Sequence, residues 1–469
     1  MSLRQGVTMK KLGIIFAVFL ICITASSQVL AVEFEASGTF YNIVQFLQHS
    51  QYQNNDDTNN FTVLQRFRSQ IEIIANEMLS GMAYFEINHK WGQDPGGDKY
   101  GRNSGGDIGT DGVGVMTKRL FLHLNIPYSQ FAIYAGLQGV TYPGTVAGSV
   151  IFDDDVAGIL ATYGHAKEFS GVLGWLRPFE VDTADEQPVT THNNMDMFLL
   201  SLYFQPKHIS VNPYFSYSPL GENVKFGSPN YTYDVGPSLG LDNNFVNVER
   251  TENADVFWAG VAVMGDYSDF KFMFDGIYGN LDANRAARRS GWFTAGKISY
   301  MFENVTAGIL GWWASGDGSN AHVSGSGRMP FVTAGWLISN FGFDDTYANE
   351  TGNRIADATG KIGAGVVLED FNYVDWMTQE LKVIGMWGTN SSSIVENGHL
   401  SNPTSKLAKY MTDKDFALEV NYEATIKLYE QLEVIPSVSY IHLDLDESTW
   451  GISNVQDCWR VALVTKFTY

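Results

Sequence analysis

Cysteine is scarce in this sequence of 469 residues, which holds only Cys22 and Cys458. Cys22 lies in an N-terminal apolar stretch that we expect to be removed, as described below. One cysteine cannot form an intrachain disulfide, although an exported protein meets oxidising conditions. A long chain without disulfides must be stabilised in another way, and one large sheet closed upon itself is sufficient.

Basic residues are also in deficit. The chain has 30 Lys and Arg against 51 Asp and Glu, a net charge of −21, and loss of the three basic residues in 1–31 makes it −24. Nucleic-acid binding requires a basic surface, so this balance excludes nucleic acid as a partner.

Long apolar runs are absent after residue 31, so the sequence predicts no transmembrane helix. The stretch Leu12–Ala25 has about 14 residues, too few to span a bilayer as a helix. It follows Lys10-Lys11 and precedes a cleavage-like segment that ends Val29-Leu30-Ala31. This pattern predicts a secretory signal peptide over residues 1–31, followed by one domain over residues 32–469.

Aromatic residues and glycine are abundant, at 14% and 47 residues, whereas charged residues make up only 17%. Aromatic strands joined by glycine-rich turns are typical of all-β proteins. In the segment 416–428, every even position is apolar, and all odd positions but one are polar or charged. A period of two over this length predicts a strand and excludes a helix.

The predicted strands run to about 10–13 residues, closer to membrane-spanning strands than to soluble ones. Short turns such as 75–80 and 429–431 alternate with long polar loops such as 48–60 and 316–360. The pattern favours a transmembrane antiparallel β-barrel, with short periplasmic turns and long extracellular loops, over a soluble sandwich.

We count 18 strands, and 16 if the weak segments 156–164 and 361–369 are loops. The segment WRVALVTKFTY, residues 459–469, has strand alternation up to Tyr469. Because lipid cannot satisfy an open sheet edge, we expect this last strand to pair with the first, residues 33–47. Tyr469 is then expected in the aromatic ring at the membrane interface.

Several segments resemble the outer-membrane homotrimeric porins of sulfate-reducing, Desulfovibrio-type bacteria. They are AVEFEASGTFYNIV, LQRFRSQIEIIANEMLSGMAYFEI, GRNSGGDIGTDGVGVMTKRLFLHLNIP, LQGVTYPG, IFDDDVAGIL and GWLRPFE. The resemblance covers most of residues 32–469 and is densest before residue 180. It implies a homotrimer of water-filled barrels in the bacterial outer membrane, for ion transport and passive diffusion of small hydrophilic solutes.

Charged residues on a lipid-facing surface of the barrel would be costly, so we expect them to line the pore. The predicted pore-lining residues on the strands are Arg66, Arg68, Glu72, Arg119 and Arg177. The arginines are interpreted either as a basic wall that meets solutes or as residues that brace the barrel interior together with Glu72 and Glu86.

The segment 142–155 is predicted to fold into the barrel and narrow the pore. Its part Ser149-Val150-Ile151-Phe152 is too apolar for a solvated loop. Asp153, Asp154 and Asp155 would then face the arginines across the constriction and set selectivity. The alternative is that the three aspartates form an ordinary solvated turn.

Signals for other chemistry are weak. The G-x-S-x-G pattern at 236–240 lies in a polar loop without the strand and helix of a nucleophile elbow, so we expect no enzyme. A structural calcium ion is conceivable at Asp98, Asp107 and Asp111, and no other cofactor is predicted.

The basic residues Arg285, Arg288 and Arg289 are expected to form a basic patch in an external loop, which either meets lipopolysaccharide phosphate or a solute, or is only solvated. Two other functions stay open, a substrate-selective channel for a sugar or organic anion and an outer-membrane barrel enzyme. Conductance measurements would separate these functions from a general pore.

Overall fold

The computed structural model describes residues 32–49, 59–93, 106, 108, 114–166, 168–179, 194–221, 245, 253–285, 287–333, 335–343, 355, 358–453 and 455–469. The predicted signal peptide, the pattern at 236–240 and the three candidate calcium ligands lie outside these residues.

The described chain is dominated by long strands. They are β1 (Glu33–Gln48), β2 (Asn59–Asn76), β3 (Leu79–Lys90), β4 (Met116–Asn125), β5 (Phe131–Thr141), β6 (Asp153–Ala166), β7 (Phe169–Phe179), β8 (Met195–Phe204), β9 (Ile209–Leu220), β10 (Ala254–Tyr267), β11 (Phe270–Asp282), β12 (Arg289–Met301), β13 (Thr306–Ala314), β14 (Lys361–Val374), β15 (Met377–Gly388), β16 (Phe416–Tyr429), β17 (Leu432–Asp444) and β18 (Cys458–Thr468).

Every strand pairs antiparallel with its sequence neighbours, and β1 also pairs with β18, so the 18-stranded sheet is a closed barrel. The predicted all-β antiparallel barrel with 18 strands is confirmed. The 16-strand alternative is wrong, because the segments 156–164 and 361–369 belong to β6 and β14.

The seam that closes the barrel runs for ten residue pairs, from Thr39 opposite Thr468 to Gln48 opposite Trp459. Beyond it, the backbones of Gly38 and Tyr469 exchange two hydrogen bonds of 3.0 and 3.1 Å. The predicted pairing of the first and last strands is therefore confirmed. No edge of β1 or β18 is left for lipid to satisfy.

The two faces of the strands differ in polarity, as expected of a barrel in lipid. Outward side chains such as Leu120 and Leu122 are 56% and 60% exposed. Inward positions hold buried polar groups, among them Gln45, Glu86 and Arg460. This arrangement reverses the usual order of a water-soluble protein. Among the described residues, no helix has the length and apolarity needed to cross a membrane.

Three short helices lie in the long connections after β13, β15 and β17, at Ala321–Ser324, Ser393–Glu396 and Glu447–Trp450. Two loop segments fold inward and place apolar side chains in part of the barrel interior. We call them the first inner segment, residues 142–152, and the second inner segment, residues 326–333 and 335–343. Together they provide much of the buried apolar cluster, including Tyr142, Ile151, Met329 and Trp336.

Candidate functional site

The wall formed by β2 and β3 carries a charged group inside the barrel, which we call the Glu86 cluster: Arg66, Arg68, Glu86 and Asn88. Strand alternation places Arg66 and Arg68 on the inward face, opposite exposed Phe61 and Ile73. The antiparallel register then sets Arg68 directly across from Glu86.

Glu86 is only 1% exposed and interacts with both arginines. Its carboxylate lies 2.6 Å from Nε of Arg68 and 3.4 Å from Nη2 of Arg66. Asn88 accepts from Nε of Arg66 at 2.9 Å and donates to Glu86 at 2.8 Å. Two cations thus share this one carboxylate. The side chain of Arg68 is 30% exposed, which leaves its charge accessible.

The buried ion pairs of Glu86 agree with the interpretation that these residues brace the barrel interior. The exposed part of Arg68 agrees with the other interpretation, in which a basic wall meets solutes. One residue can serve both roles. Glu72 has the same strand parity as Arg66 and Arg68 and pairs across the strands with Glu35 and Met82.

Arg119 lies in a second charged group, at the start of β4. Its guanidinium Nε is 2.6 Å from Oδ1 of Asp155, and Nζ of Lys118 is 2.8 Å from Oδ2 of the same carboxylate. The strand pairing slips between Tyr84 and Phe85, so two residues of β4 oppose one of β3 there. This bulge lets the adjacent Lys118 and Arg119 reach one acid.

The ion pair of Arg119 crosses over β5, the strand between β4 and β6. It passes at Gly139, the cross-strand neighbour of Asp155. A Cβ atom at Gly139 would lie 2.4 Å from Nη2 of Arg119. The missing side chain therefore makes room for the guanidinium.

The first inner segment crosses the barrel interior to the wall formed by β9 and β11. The hydroxyl of Tyr142 lies 2.7 Å from that of Ser216 on β9. The backbone N–H groups of Thr145 and Val146 donate to the carboxylate of Asp275 on β11 at 2.8 and 2.9 Å. Burial raises the pKa of Tyr142, so its hydroxyl is protonated at neutral pH. The apolar stretch 149–152 is buried, as its sequence suggests.

The second inner segment begins at the β10–β12 side of the barrel. The Trp258 indole donates to the carbonyl of Pro330 at 2.7 Å. The Arg289 guanidinium donates to the carbonyls of Arg328 and Met329, each at 3.1 Å. Arg289 is 2% exposed. The prediction that it belongs to an external basic patch is wrong, because strand parity turns it inward.

Backbone hydrogen bonds join the two inner segments. The N–H groups of Val332, Gly335 and Leu337 donate to the carbonyls of Ile151, Ser149 and Ala147, at 2.7 to 2.9 Å. The aromatic rings of Trp336, Phe293 and Trp312 then pack edge to face at 5.2 to 5.4 Å. The two segments thus form one hydrogen-bonded partition inside the barrel.

The far end of the second inner segment reaches the wall formed by β15, β16 and β18. We call this contact the Asn340 cluster: Asn340, Glu380, Lys382, Glu423 and Arg460. The Asn340 amide donates to Glu380 at 3.0 Å and accepts from Lys382 at 2.9 Å. Its backbone carbonyl accepts from Arg460 at 3.0 Å. Two acids and two bases balance, and the segment covers them.

The three predicted constriction aspartates start β6 rather than lying in a loop, and their surroundings differ. Asp153 accepts from the Thr141 hydroxyl at 2.6 Å. Asp154 lies 3.4 Å from the hydroxyl of Thr333 in the second inner segment. Asp155 is paired with Lys118 and Arg119. The structure does not bring these acids against Arg66 and Arg68.

The position of Arg177 differs from the prediction. It pairs across the strands with Ala157, two positions from the exposed residues Ile159 and Trp175, and so lies on the outer face. There its guanidinium makes two hydrogen bonds to Asp196, at 2.9 and 3.1 Å. Regular pairing with β6, in which Leu176 is opposite Gly158 and Arg177 is opposite Ala157, gives Arg177 the same outward parity as Trp175.

The long connections tie the second inner segment to an outer layer. Asp317, 2% exposed, accepts from Gly327 at 3.1 Å and from the hydroxyl of Tyr410 at 3.0 Å. Within this layer, burial raises the pKa of Asp415, against the hydrogen bonds that it accepts. Hydrogen bonds from Ser448 and Thr449 lower the pKa of Asp446 to about 2.

Sequence reasoning missed the second inner segment and the wall residues that hold it. The signal that identified segment 142–155 is present here too, since Met329-Pro330-Phe331-Val332 and Trp336-Leu337-Ile338 are apolar runs in a long loop. In the described part of the chain, no group of three or more His, Cys, Asp and Glu side chains could hold a metal ion.

Several solved structures share this fold. A BenF-like porin from Pseudomonas fluorescens Pf-5 matches with a TM-score of 0.56 and 11% identity, over 93% of this chain and 98% of that one. Acinetobacter baumannii OccAB3 matches with 0.56 and 11%, over 93% and 99%. Pseudomonas aeruginosa OccK8 (OprE) matches with 0.54 and 10%, over 93% and 98%. No family model and no curated protein matches the chain. At these identities the likeness shows the fold, an 18-stranded barrel of the outer-membrane type.

Proposed function

We propose that this protein is an outer-membrane porin, a water-filled channel for passive diffusion of small hydrophilic solutes and ions. The supporting observation is the closed barrel with an apolar outer face and a charged interior, in which Arg68 is accessible. Closed barrels of this size leave an aqueous channel unless loops fill them. The similar solved structure from Pseudomonas fluorescens bears the name of a porin.

The two inner segments are proposed to narrow the channel. Asp154 of β6 lies beside the second inner segment, and Arg68 lies on the inward face of β2. We infer that solutes pass between the partition and the Glu86 cluster, because the Arg68 side chain in that cluster is 30% exposed. Rings of charged side chains set selectivity in such pores.

A homotrimer is proposed from the sequence resemblance to the porins of sulfate-reducing bacteria.

Lipopolysaccharide contact is proposed at Arg288. Its side chain is 52% exposed and forms an ion pair of 3.0 Å with Asp282 at the end of β11. Calcium at Asp98, Asp107 and Asp111 stays a prediction, as do cleavage of residues 1–31 and the absence of catalysis.

Conductance of the purified protein in planar bilayers tests the proposal. We expect stepwise, ohmic current that is insensitive to small neutral solutes. An Asp153→Asn/Asp154→Asn double variant should shift the reversal potential in a salt gradient toward anion preference. Absence of conductance in a correctly folded barrel would contradict the channel function, and an unchanged reversal potential would contradict the role of these two acids.

A substrate-selective channel is the second candidate, and the partition favours it. Hydrogen bonds at both ends hold the inner segments in fixed positions, and fixed groups can distinguish solutes better than mobile ones. If this function is correct, a sugar or an organic anion at low concentration should block the current, whereas a general pore should stay open.

A further inference from the structure

The wall beneath the end of the second inner segment carries a buried carboxylate outside the Asn340 cluster. Glu419 lies on the inward face of β16 and is 0% exposed. Its Oε1 atom accepts a hydrogen bond from the N–H of Gly342 at 2.8 Å and another from the side-chain amide of Asn421 at 2.9 Å. Its Oε2 atom has no hydrogen-bond partner among the described residues. One of the two carboxylate oxygens is therefore unpaired.

Two more oxygen atoms next to Glu419 are in the same state. Asn421 is the next inward residue of β16, and Ser439 of β17 is its direct cross-strand neighbour. Both are 1% exposed. Within the part of the chain that the structure describes, Oδ1 of Asn421 and Oγ of Ser439 lack a hydrogen-bond partner. We call these three oxygens, Oε2 of Glu419, Oδ1 of Asn421 and Oγ of Ser439, the Glu419 site.

The bases on the two flanking strands are bonded elsewhere. Nζ of Lys382 on β15 lies 2.9 Å from Oδ1 of Asn340 and 2.9 Å from a carboxylate oxygen of Glu380. The guanidinium of Arg460 on β18 donates to the backbone carbonyl of Asn340 at 3.0 Å. Lys382 attracts Glu419 through space, but no lysine or arginine of the described chain forms an ion pair with this carboxylate.

The second inner segment leaves space at the unpaired carboxylate oxygen. A Cβ atom at Gly342 would lie 2.4 Å from Oε2 of Glu419, so a larger residue would occupy that space. The buried hydroxyl of Ser339, in the same segment, also interacts with this carboxylate. Groups of the wall and of the segment therefore both reach Glu419.

The chemistry of the three oxygens selects the kind of ligand. An ionised carboxylate at this depth is unfavourable unless a cation accompanies it. Carboxylate, amide and hydroxyl oxygens are ligands of hard cations, whereas Zn²⁺ and Cu²⁺ favour imidazole or thiolate. The site contains a single carboxylate, which matches a single positive charge.

We propose that the Glu419 site binds an alkali-metal cation, Na⁺ or K⁺, and that this ion fastens the second inner segment to β16 and β17. The segment is held because Gly342 bonds to the same carboxylate as the ion. The proposal goes beyond the proposed function, since it concerns the attachment of a segment and not the passage of a solute.

Thermal unfolding of the full chain in detergent tests the proposal, with NaCl or KCl exchanged against choline chloride at constant ionic strength. Choline has the same charge but is too large for a buried site. We expect the unfolding midpoint to rise with Na⁺ or K⁺, and the more effective ion identifies the preferred ligand. Equal midpoints in the three salts would overturn the proposal, as would a rise with CaCl₂ alone.

Two serines on the same face of β17 provide a matched comparison. Ser439→Ala removes an oxygen of the site, whereas Ser437→Ala removes a buried hydroxyl two residues away. We expect the cation concentration for half-maximal stabilisation to rise roughly tenfold in Ser439→Ala and to stay unchanged in Ser437→Ala. Glu419→Gln should abolish the response to the cation, because a neutral amide requires none. Equal shifts in the two serine variants would contradict the assignment.

Thallium(I), a heavy-atom substitute for K⁺, gives a direct measurement on the parent protein. We expect an anomalous-scattering peak next to Oε2 of Glu419 in crystals soaked with a Tl⁺ salt, and no peak there in Glu419→Gln. Absence of the peak from the parent crystals would contradict a cation at this site. Neither measurement uses conductance, so failure of this inference is distinguishable from failure of the channel function.

Discussion

The Glu86 cluster and the Asn340 cluster are built from the same kinds of side chain, yet they are left in different states. In the Glu86 cluster, two arginines share one carboxylate, and Arg68 stays 30% exposed. In the Asn340 cluster, acids and bases balance, and an asparagine of the second inner segment covers them. Lys382 there is 12% exposed.

The difference shows what the inner segments do to the wall. Where a segment docks, wall charges become its anchors: Asp275, Arg289 and Lys382 each form hydrogen bonds with a segment. At the Glu86 cluster, where none of the described segments docks, the Arg68 side chain stays partly exposed. The first type of site holds the partition, and the second is suited to act on a passing ion.

The largest effect is expected from Glu86→Gln. It leaves the cations of Arg66 and Arg68 without their anion, and removal of one partner of a buried ion pair costs about 3–5 kcal/mol. The free energy of unfolding in detergent measures this loss. The matched change in the other cluster is Glu380→Gln. Because Glu380 is 29% exposed, its loss should be about 1 kcal/mol. Equal losses would show that the two clusters are not different in burial.

Asn340→Ala should cost about 1 kcal/mol, because Glu380 and Lys382 each lose a half-buried hydrogen-bond partner. It should also release the end of the second inner segment and increase the current noise of single channels. Asn88→Ala is the control in the Glu86 cluster. Asn88 is 2% exposed and also joins charged groups, but it lies on a wall strand. Its replacement should lower stability without added noise, so noise in both variants would refute the anchoring role.

Arg68→Gln should change selectivity more than stability. The side chain is partly exposed, so its ion pair contributes about 1 kcal/mol or less. Loss of the positive charge should shift the reversal potential toward cation preference. Lys382→Gln, in the covered cluster, should shift it less. If both variants shift the reversal potential equally, the second inner segment does not reduce the influence of Lys382 on ion selectivity.

The smallest effect is expected from Gly139→Ala. The added methyl would meet the Arg119 guanidinium, whose Nη2 lies 2.4 Å from the Cβ position. Displacement of Arg119 from Asp155 should lower the unfolding free energy by about 1 kcal/mol. Gly296→Ala is the control, because the nearest atom to its Cβ position is 3.7 Å away. A loss at Gly296 as large as that at Gly139 would contradict the role given to this ion pair.

The alternation of side chains was enough to predict the barrel, its strand number and its closure. It also placed Arg66 and Arg68 on the inward face, because β2 has no register slip between Asn59 and Ile74. The ion partner of Arg68 depends on how β2 and β3 pair, and a single sequence gives that pairing only through the turn at 77–78. The partner Glu86 was nevertheless within the predicted set of braces.

The rest depends on departures from regular strands. A bulge in β4 sends Lys118 and Arg119 to one acid, whereas regular alternation in β7 places Arg177 on the outer face. The second inner segment was predicted as an external loop, since length and polarity alone do not show which way a loop folds. Its direction is determined by Trp258, Arg289 and Asn340, which lie far apart in the sequence.

The seam between β1 and β18 has a consequence for how the protein is made. The two strands that form it are separated by more than four hundred residues, so the seam is the most non-local pairing in the barrel. Until β18 arrives, β1 and β17 each present a row of unsatisfied backbone groups that a bilayer cannot accommodate. Entry into the membrane must therefore be coupled to completion of the cylinder, and a catalyst of insertion has to shield both open flanks until they meet.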